Sequence, residues 1–119
     1  MRRPAILVVD DEVDVRESLR EVLEDEGYDV AVAADGRLGL EAVRRLHPDA
    51  VILDIIMPVM SGTEMYAAMQ GDPELAQIPV IISTSDPSRA PSGVLIMRKP
   101  IDVPRLLAAV ESVCKKTPP

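Results

Sequence analysis

The sequence predicts an α/β fold in which a five-stranded parallel sheet is doubly wound, with helices against both faces. Three observations carry this: short apolar runs alternate with stretches of helical period, several runs are apolar at every position, and most end in a charged or hydroxyl residue. A strand apolar at every position is buried on both faces, as in a parallel sheet sandwiched between helices. Alternating strands and helices then imply βαβ units with right-handed crossovers.

Ala5–Val9 (AILVV) is the first such run and leads into acid. Val15, Leu19, Val22 and Leu23 follow as a helical stripe that Gly27 stops. Tyr28, Val30 and Val32 alternate as the second strand, Asp35-Gly36 turns the chain, and Gly39, Leu40, Val43 and Leu46 mark a helix that must end before Pro48. Ala50–Leu53 (AVIL) is the third strand. Thr63–Gln70 reads as a helix with Met65 and Met69 inward, broken by Gly71-Asp72-Pro73. Pro79–Ser83 (PVIIS) and Val94–Met97 (VLIM) are the fourth and fifth strands, and Val103–Cys114 is a last helix burying Leu106, Leu107, Val110 and Val113. Residues 115–119 read as a frayed tail.

The chain of 119 residues is 47% apolar and 28% charged, which is the size of one domain with a single core over residues 1–119. With no Phe or Trp, the core is aliphatic, and stacking on nucleic-acid bases is excluded as a main mode of action. Thirteen basic against twenty acidic residues give a net charge of −7, the wrong sign for following a phosphate backbone. The single Cys114 forms no internal disulfide and no Cys/His cluster has zinc spacing. No apolar run approaches the ~20 residues of a membrane span or forms a signal-peptide core. The expectation is a cytoplasmic protein, monomeric or weakly dimeric, with no nucleic-acid or membrane partner of its own.

In an open parallel sheet the ligand crevice lies beyond the carboxyl ends of the strands. The residues delivered there are Asp10 and Asp11, Asp54, Thr84, and Lys99 followed by Pro100. Carboxylates packed this closely repel by a few kcal/mol per pair at an effective dielectric near ~20, so the cluster calls for a cation. All-oxygen ligation with room for water and phosphate oxygens suits Mg²⁺ better than Zn²⁺ or a Ca²⁺ cage. A carboxylate beside such a metal can act as nucleophile toward phosphorus, while the Lys99 ammonium and the Thr84 hydroxyl take phosphoryl oxygens.

Four ordered motifs, Val8-Val9-Asp10-Asp11-Glu12, Asp54-Ile55-Ile56-Met57-Pro58-Val59-Met60-Ser61-Gly62, Pro79-Val80-Ile81-Ile82-Ser83-Thr84-Ser85 and Lys99-Pro100, closely resemble the receiver domain of bacterial response regulators. The resemblance spans the whole chain. It implies a flavodoxin-like receiver fold and a phosphoryl group moved from a phosphohistidine, on a sensor histidine kinase or phosphotransfer protein, to Asp54. By the same match Asp11, Asp54 and the main-chain carbonyl of Ile56 would ligate Mg²⁺, and Asp10 would help through water. Thr84, Lys99 and backbone N–H groups after Asp54 and Thr84 would hold the phosphoryl oxygens, with Ser85 meeting the family's need for a small residue. The Lys99–Pro100 bond would be cis, a structural role for Pro100. The downstream protein is unidentified.

Ordinary structural readings stand beside these. Asp11 or Asp14 can cap the first helix, His47 can cap or charge a helix end, Met57-Pro58 can anchor a loop, and Met60, Met65, Met69 and Met97 can fill the core. Cys114 reads as a half-buried bystander. A haloacid-dehalogenase-type hydrolase would need Asp-x-Asp after the first strand, which Asp10-Asp11-Glu12 does not supply. A receiver-fold interaction module acting without phosphorylation would be marked by a lost acidic or lysine position, and none is lost. The departures lie elsewhere. Only residues 85–98 separate Thr84 from Lys99, too few for the ~11 residues of an average helix, its two loops and a strand, and Pro87, Pro91 and Gly93 disfavour a helix there. The fourth helix of the family is therefore expected to be shortened or replaced by a loop. Ile96 stands where many receivers carry a switching aromatic, so it is expected to pack at the sheet edge and Ser85–Gly93 to carry the signal.

Overall fold

The computed structural model describes residues 3–115. Its elements are β1 (Ala5–Val9), α1 (Val13–Asp25), β2 (Asp29–Ala33), α2 (Gly36–Leu46), β3 (Ala50–Asp54), α3 (Gly62–Gln70), β4 (Val80–Thr84), a 3₁₀ turn (Pro87–Arg89), β5 (Leu95–Arg98) and α4 (Val103–Lys115). The strands form one sheet in the order β2-β1-β3-β4-β5, every neighbouring pair parallel. The chain order reverses between β1 and β3, which places the ligand crevice at their carboxyl ends.

Strand parity divides the interior in two. Leu7, Val9, Val51, Leu53, Val80 and Ile82 point to α2 and α3, meeting Leu40, Val43, Met65 and Met69. Ile6, Val8, Ile52, Ile81 and Met97 point to the other face, meeting Leu19 and Leu23 of α1 and Leu106 and Val110 of α4. Burying a side chain of this kind contributes about 1.5–3 kcal/mol, so the sheet is held rigid from both sides. β1, β3 and β4 are almost wholly buried, whereas the edge strand β5 leaves Leu95 49% and Ile96 37% exposed. Ile96 thus lies at the sheet edge as expected but is only partly packed.

The helix ends explain several shifts of boundary. Glu12 begins α1 without a side-chain capping bond, so neither Asp11 nor Asp14 is its cap. Gly27, at φ 95°, takes the left-handed conformation that ends this segment. Asp35 caps α2 by accepting the Leu38 N–H, and His47 closes it in a left-handed conformation with its N–H on the Val43 carbonyl. Leu46 ends α2 before Pro48, as expected, and is exposed in the last turn. Ser61 and Glu64 form a reciprocal capping box that starts α3 one residue earlier than Thr63. Pro79 lacks an N–H and stays outside β4, which instead takes in Thr84; Gly93, at φ 79°, delays β5 to Leu95. Lys115 still belongs to α4, and the rest of the expected tail, 116–119, lies outside the described residues.

Between β4 and β5 the chain makes one 3₁₀ turn, Pro87–Arg89, capped by Asp86. A loop therefore replaces the fourth helix. Ala90 and Val94 pack it against the α2/α3 core.

Candidate functional site

Asp10 follows β1, Asp54 is the last residue of β3, Thr84 the last of β4, and Lys99 follows β5, so four strands deliver one group each to one edge. Asp10 is 1% and Asp54 6% exposed. Asp10 is fixed from several directions: its N–H donates to the Ala33 carbonyl, its carbonyl accepts from Arg16 Nη1 at 2.8 Å, and its Oδ1 accepts the Glu12 N–H at 2.9 Å. Asp54 Oδ1 accepts the Ile55 N–H at 2.8 Å. Lys99 Nζ lies 3.0 Å from Asp10 Oδ2, 3.4 Å from Glu12 Oε1 and 3.5 Å from Asp54 Oδ2.

The electrostatics follow from this packing. Burial, and then the Asp10 charge, push the Asp54 carboxyl up to about 6 against the opposing pull of Lys99 and the Ile55 N–H. Burial alone would lower the Lys99 pKa, but the bond and charge of Asp10, with Asp54 and Glu12 behind it, hold the ammonium above its ordinary value. The edge is thus short of positive charge. Carboxylate oxygens of Asp10, Asp11 and Glu12 lie within 4.8 Å of one another, with Asp11 and Glu12 exposed. With Asp54 beside them they offer the hard, all-oxygen donor set that fits Mg²⁺.

The β3–α3 loop is folded tightly over this edge. The Gly62 N–H donates to the Ile55 carbonyl at 2.8 Å, and a Cβ on Gly62 would stand 2.0 Å from the Asp54 carbonyl oxygen, so only glycine fits. Ile56, whose carbonyl the resemblance nominates as a ligand, is the second residue of this loop. Val59 is held at φ 69°, a strained conformation for a β-branched residue.

Thr84 is fully buried, its Oγ1 accepting the Asp86 N–H at 3.1 Å, which leaves its own proton for a second bond. Its carbonyl accepts the Lys99 N–H at 2.8 Å, joining the two residues through the backbone. Ser85 is exposed, and the Lys99–Pro100 bond is cis. The structure therefore joins Asp10 and Asp54 through Lys99, with Asp11 clustered at Asp10 and Thr84 bonded to Lys99 through the backbone. Sequence reasoning passed over two residues. Glu12 pairs with Lys99, and its signal was the unbroken acidic run Asp10-Asp11-Glu12. Ser83, discussed below, was legible only as a hydroxyl in an otherwise apolar strand.

Residues 6–111 match the family model described as the response regulator receiver domain. The chain belongs to this family. Among curated relatives, the DNA-binding response regulator MtrA of Mycolicibacterium paratuberculosis is 41% identical over 83 residues, covering 70% of this receiver and 36% of MtrA. The response regulator MprA of Mycolicibacterium vanbaalenii is 35% identical over 119 residues, covering 96% of this receiver and 52% of MprA. The receiver thus spans between about a third and a half of the curated relatives it matches. A solved structure of the chemotaxis response regulator CheY4 of Vibrio cholerae superposes with a TM-score of 0.85 at 29% identity, over 94% of this receiver and 99% of that chain. The receiver is a signalling domain of two-component systems, and among its described residues no helix is long and apolar enough to cross a membrane.

Proposed function

We propose that Asp54 is the phosphoacceptor, taking its phosphoryl group from a phosphohistidine on a sensor histidine kinase or phosphotransfer protein. The observation that carries this is the Asp54 carboxylate itself, buried at the end of β3, raised to about 6, and faced by the Lys99 ammonium at 3.5 Å. With Oδ1 tied to the Ile55 N–H, Oδ2 is the oxygen that attacks phosphorus. The O–P bond forms as the donor's N–P bond breaks, and the imidazole leaves with the electron pair and takes up a proton. Thr84 and Lys99 hold phosphoryl oxygens, with the backbone at Ser85 beside them. Mg²⁺, held by Asp11, Asp54 and the Ile56 carbonyl with Asp10 acting through water, would neutralise charge on the phosphoryl oxygens.

In this reading residues 1–119 act as one cytoplasmic receiver unit, a phosphoacceptor with at most slow self-dephosphorylation, monomeric or weakly dimeric, signalling to a downstream protein. The signal leaves through Ser85–Gly93, which follows Thr84 directly, and hydrogen exchange there is expected to change most on phosphorylation. The deciding experiment is intact mass after incubation with acetyl phosphate and Mg²⁺. One phosphoryl adduct on the parent chain and none on Asp54→Asn is the expected result. An adduct that persists in Asp54→Asn overturns the assignment, and no adduct on the parent favours an interaction module that works without phosphorylation.

A further inference from the structure

Ser83 is 1% exposed, and its Oγ has no hydrogen-bond partner. A buried hydroxyl left unpaired forfeits its bond to water without a replacement, and natural cores tolerate few of them. Its position makes it informative. In the β3–β4 ladder Ser83 is the register partner of Asp54, and in the β4–β5 ladder of Met97. Register partners on neighbouring strands stand about 5 Å apart and share a face. Parity agrees: Ala50 and Ile52 precede Asp54, and Ile81 precedes Ser83, on the α1/α4 side. Thr84 has the parity of Val80 and Ile82, on the opposite side. Of the two consecutive hydroxyls that end β4, Ser83 is the one on the face of Asp54.

Among the described residues Asp54 has one firm restraint, the Ile55 N–H on Oδ1 at 2.8 Å, and its Oδ2 has only Lys99, at 3.5 Å. An approaching phosphoryl group brings oxygens that compete for the same ammonium. When Lys99 turns to them, Oδ1 keeps the Ile55 N–H but Oδ2, the attacking oxygen, loses its protein partner. We infer that Ser83 is a positioning residue for Asp54, its hydroxyl donating to the Asp54 carboxylate as Lys99 turns away. One rotation about the Ser83 Cα–Cβ bond is enough to aim the hydroxyl, and two donors then fix the plane of the nucleophile during attack. The unpaired state seen here is the cost of holding that donor ready.

This inference rests on Asp54 being the phosphoacceptor. The test compares the parent, Ser83→Ala and Ser83→Thr for phosphorylation by acetyl phosphate with Mg²⁺, for Mg²⁺ affinity, and for melting temperature without metal. Ser83→Ala is expected to be phosphorylated about fivefold more slowly with Mg²⁺ affinity unchanged, yet to melt a few degrees higher because the unpaired hydroxyl is gone. Ser83→Thr, which keeps the hydroxyl, is expected to react within about twofold of the parent. A Ser83→Ala rate within twofold of the parent overturns the inference, as does a Ser83→Thr rate as slow as that of Ser83→Ala. A parent that takes no phosphoryl group overturns the reading of Asp54 and this inference with it, whereas a labelled parent with an equally fast Ser83→Ala sinks only the inference.

Discussion

Lys99 Nζ lies 3.0 Å from Asp10 Oδ2, a contact between residues 89 apart in sequence that ties the far end of the sheet to its first strand. The lysine starts beyond β5 and crosses β4 to reach the carboxylates of Asp54, at the end of β3, and Asp10, just after β1. Replacing it by Lys99→Met keeps the stem and removes the charge. Breaking a buried ion pair from one side leaves an uncompensated charge, so this variant is expected to be about 2–3 kcal/mol less stable than the parent near neutral pH. Denaturant unfolding without metal measures it, and a change below about 0.5 kcal/mol would show the contact to be incidental.

Asp54 makes the metal-free fold sensitive to pH in a defined direction. Its carboxyl titrates near 3.8 in an unfolded chain and at about 6 in the fold, so between those values the native state binds more protons. This group's contribution is therefore most favourable below the lower value and is lost as pH rises through the higher one. The loss is on the order of 2–3 kcal/mol at about 1.4 kcal/mol per unit. Asp54→Asn should flatten that part of the curve and be more stable than the parent near neutral pH. Parallel pH–stability curves for the two proteins would contradict the assignment.

Mg²⁺ is expected to raise the melting temperature by mass action, by about 2.7 kcal/mol of stability at a hundredfold excess over its dissociation constant. Asp11 is the exposed carboxylate closest in role to a direct ligand. Asp11→Asn should remove most of the Mg²⁺-dependent shift while leaving the metal-free fold intact. Calorimetric scans with and without Mg²⁺ decide this, and an unaltered shift in the variant would move the ion elsewhere.

Val59 offers a test of stored strain beside the site. Its φ of 69° is costly for a β-branched side chain, and at 76% exposure the side chain buries little. Val59→Gly relieves the strain but adds freedom to the unfolded chain, leaving a net gain of about 0.5–1 kcal/mol. A destabilised Val59→Gly protein would show that the side chain earns its place by contacts.

The fold was legible because the runs at β1, β3 and β4 are apolar at successive positions until their carboxyl ends, a pattern that double-sided burial explains. The site was legible where a residue type is forced by chemistry or by space. Asp54 must be a carboxylate if it is the proposed phosphoacceptor, and Gly62 must lack a Cβ because the Asp54 carbonyl occupies that place. Boundaries at β4 and β5 were missed by one residue because Pro79 and Gly93 act through the backbone, which apolar counting does not register. Glu12 and Ser83 were passed over because their significance lies in a lysine 87 residues away and in strand register.

One backbone bond, Lys99 N–H to the Thr84 carbonyl, closes residues 85–98 into a ring with a narrow neck. The β4–β5 ladder, which sets Thr84 beside Arg98, fixes the neck, so the loop that precedes β5 can change length without altering it. Closure entropy grows only logarithmically with ring size, and doubling the segment adds about 0.6 kcal/mol. The spacing of hydroxyl and ammonium is therefore insulated from the length of what hangs between them. A lineage could gain or shed a whole helix at this point, and so exchange one output surface for another, without retuning the chemistry at Asp54.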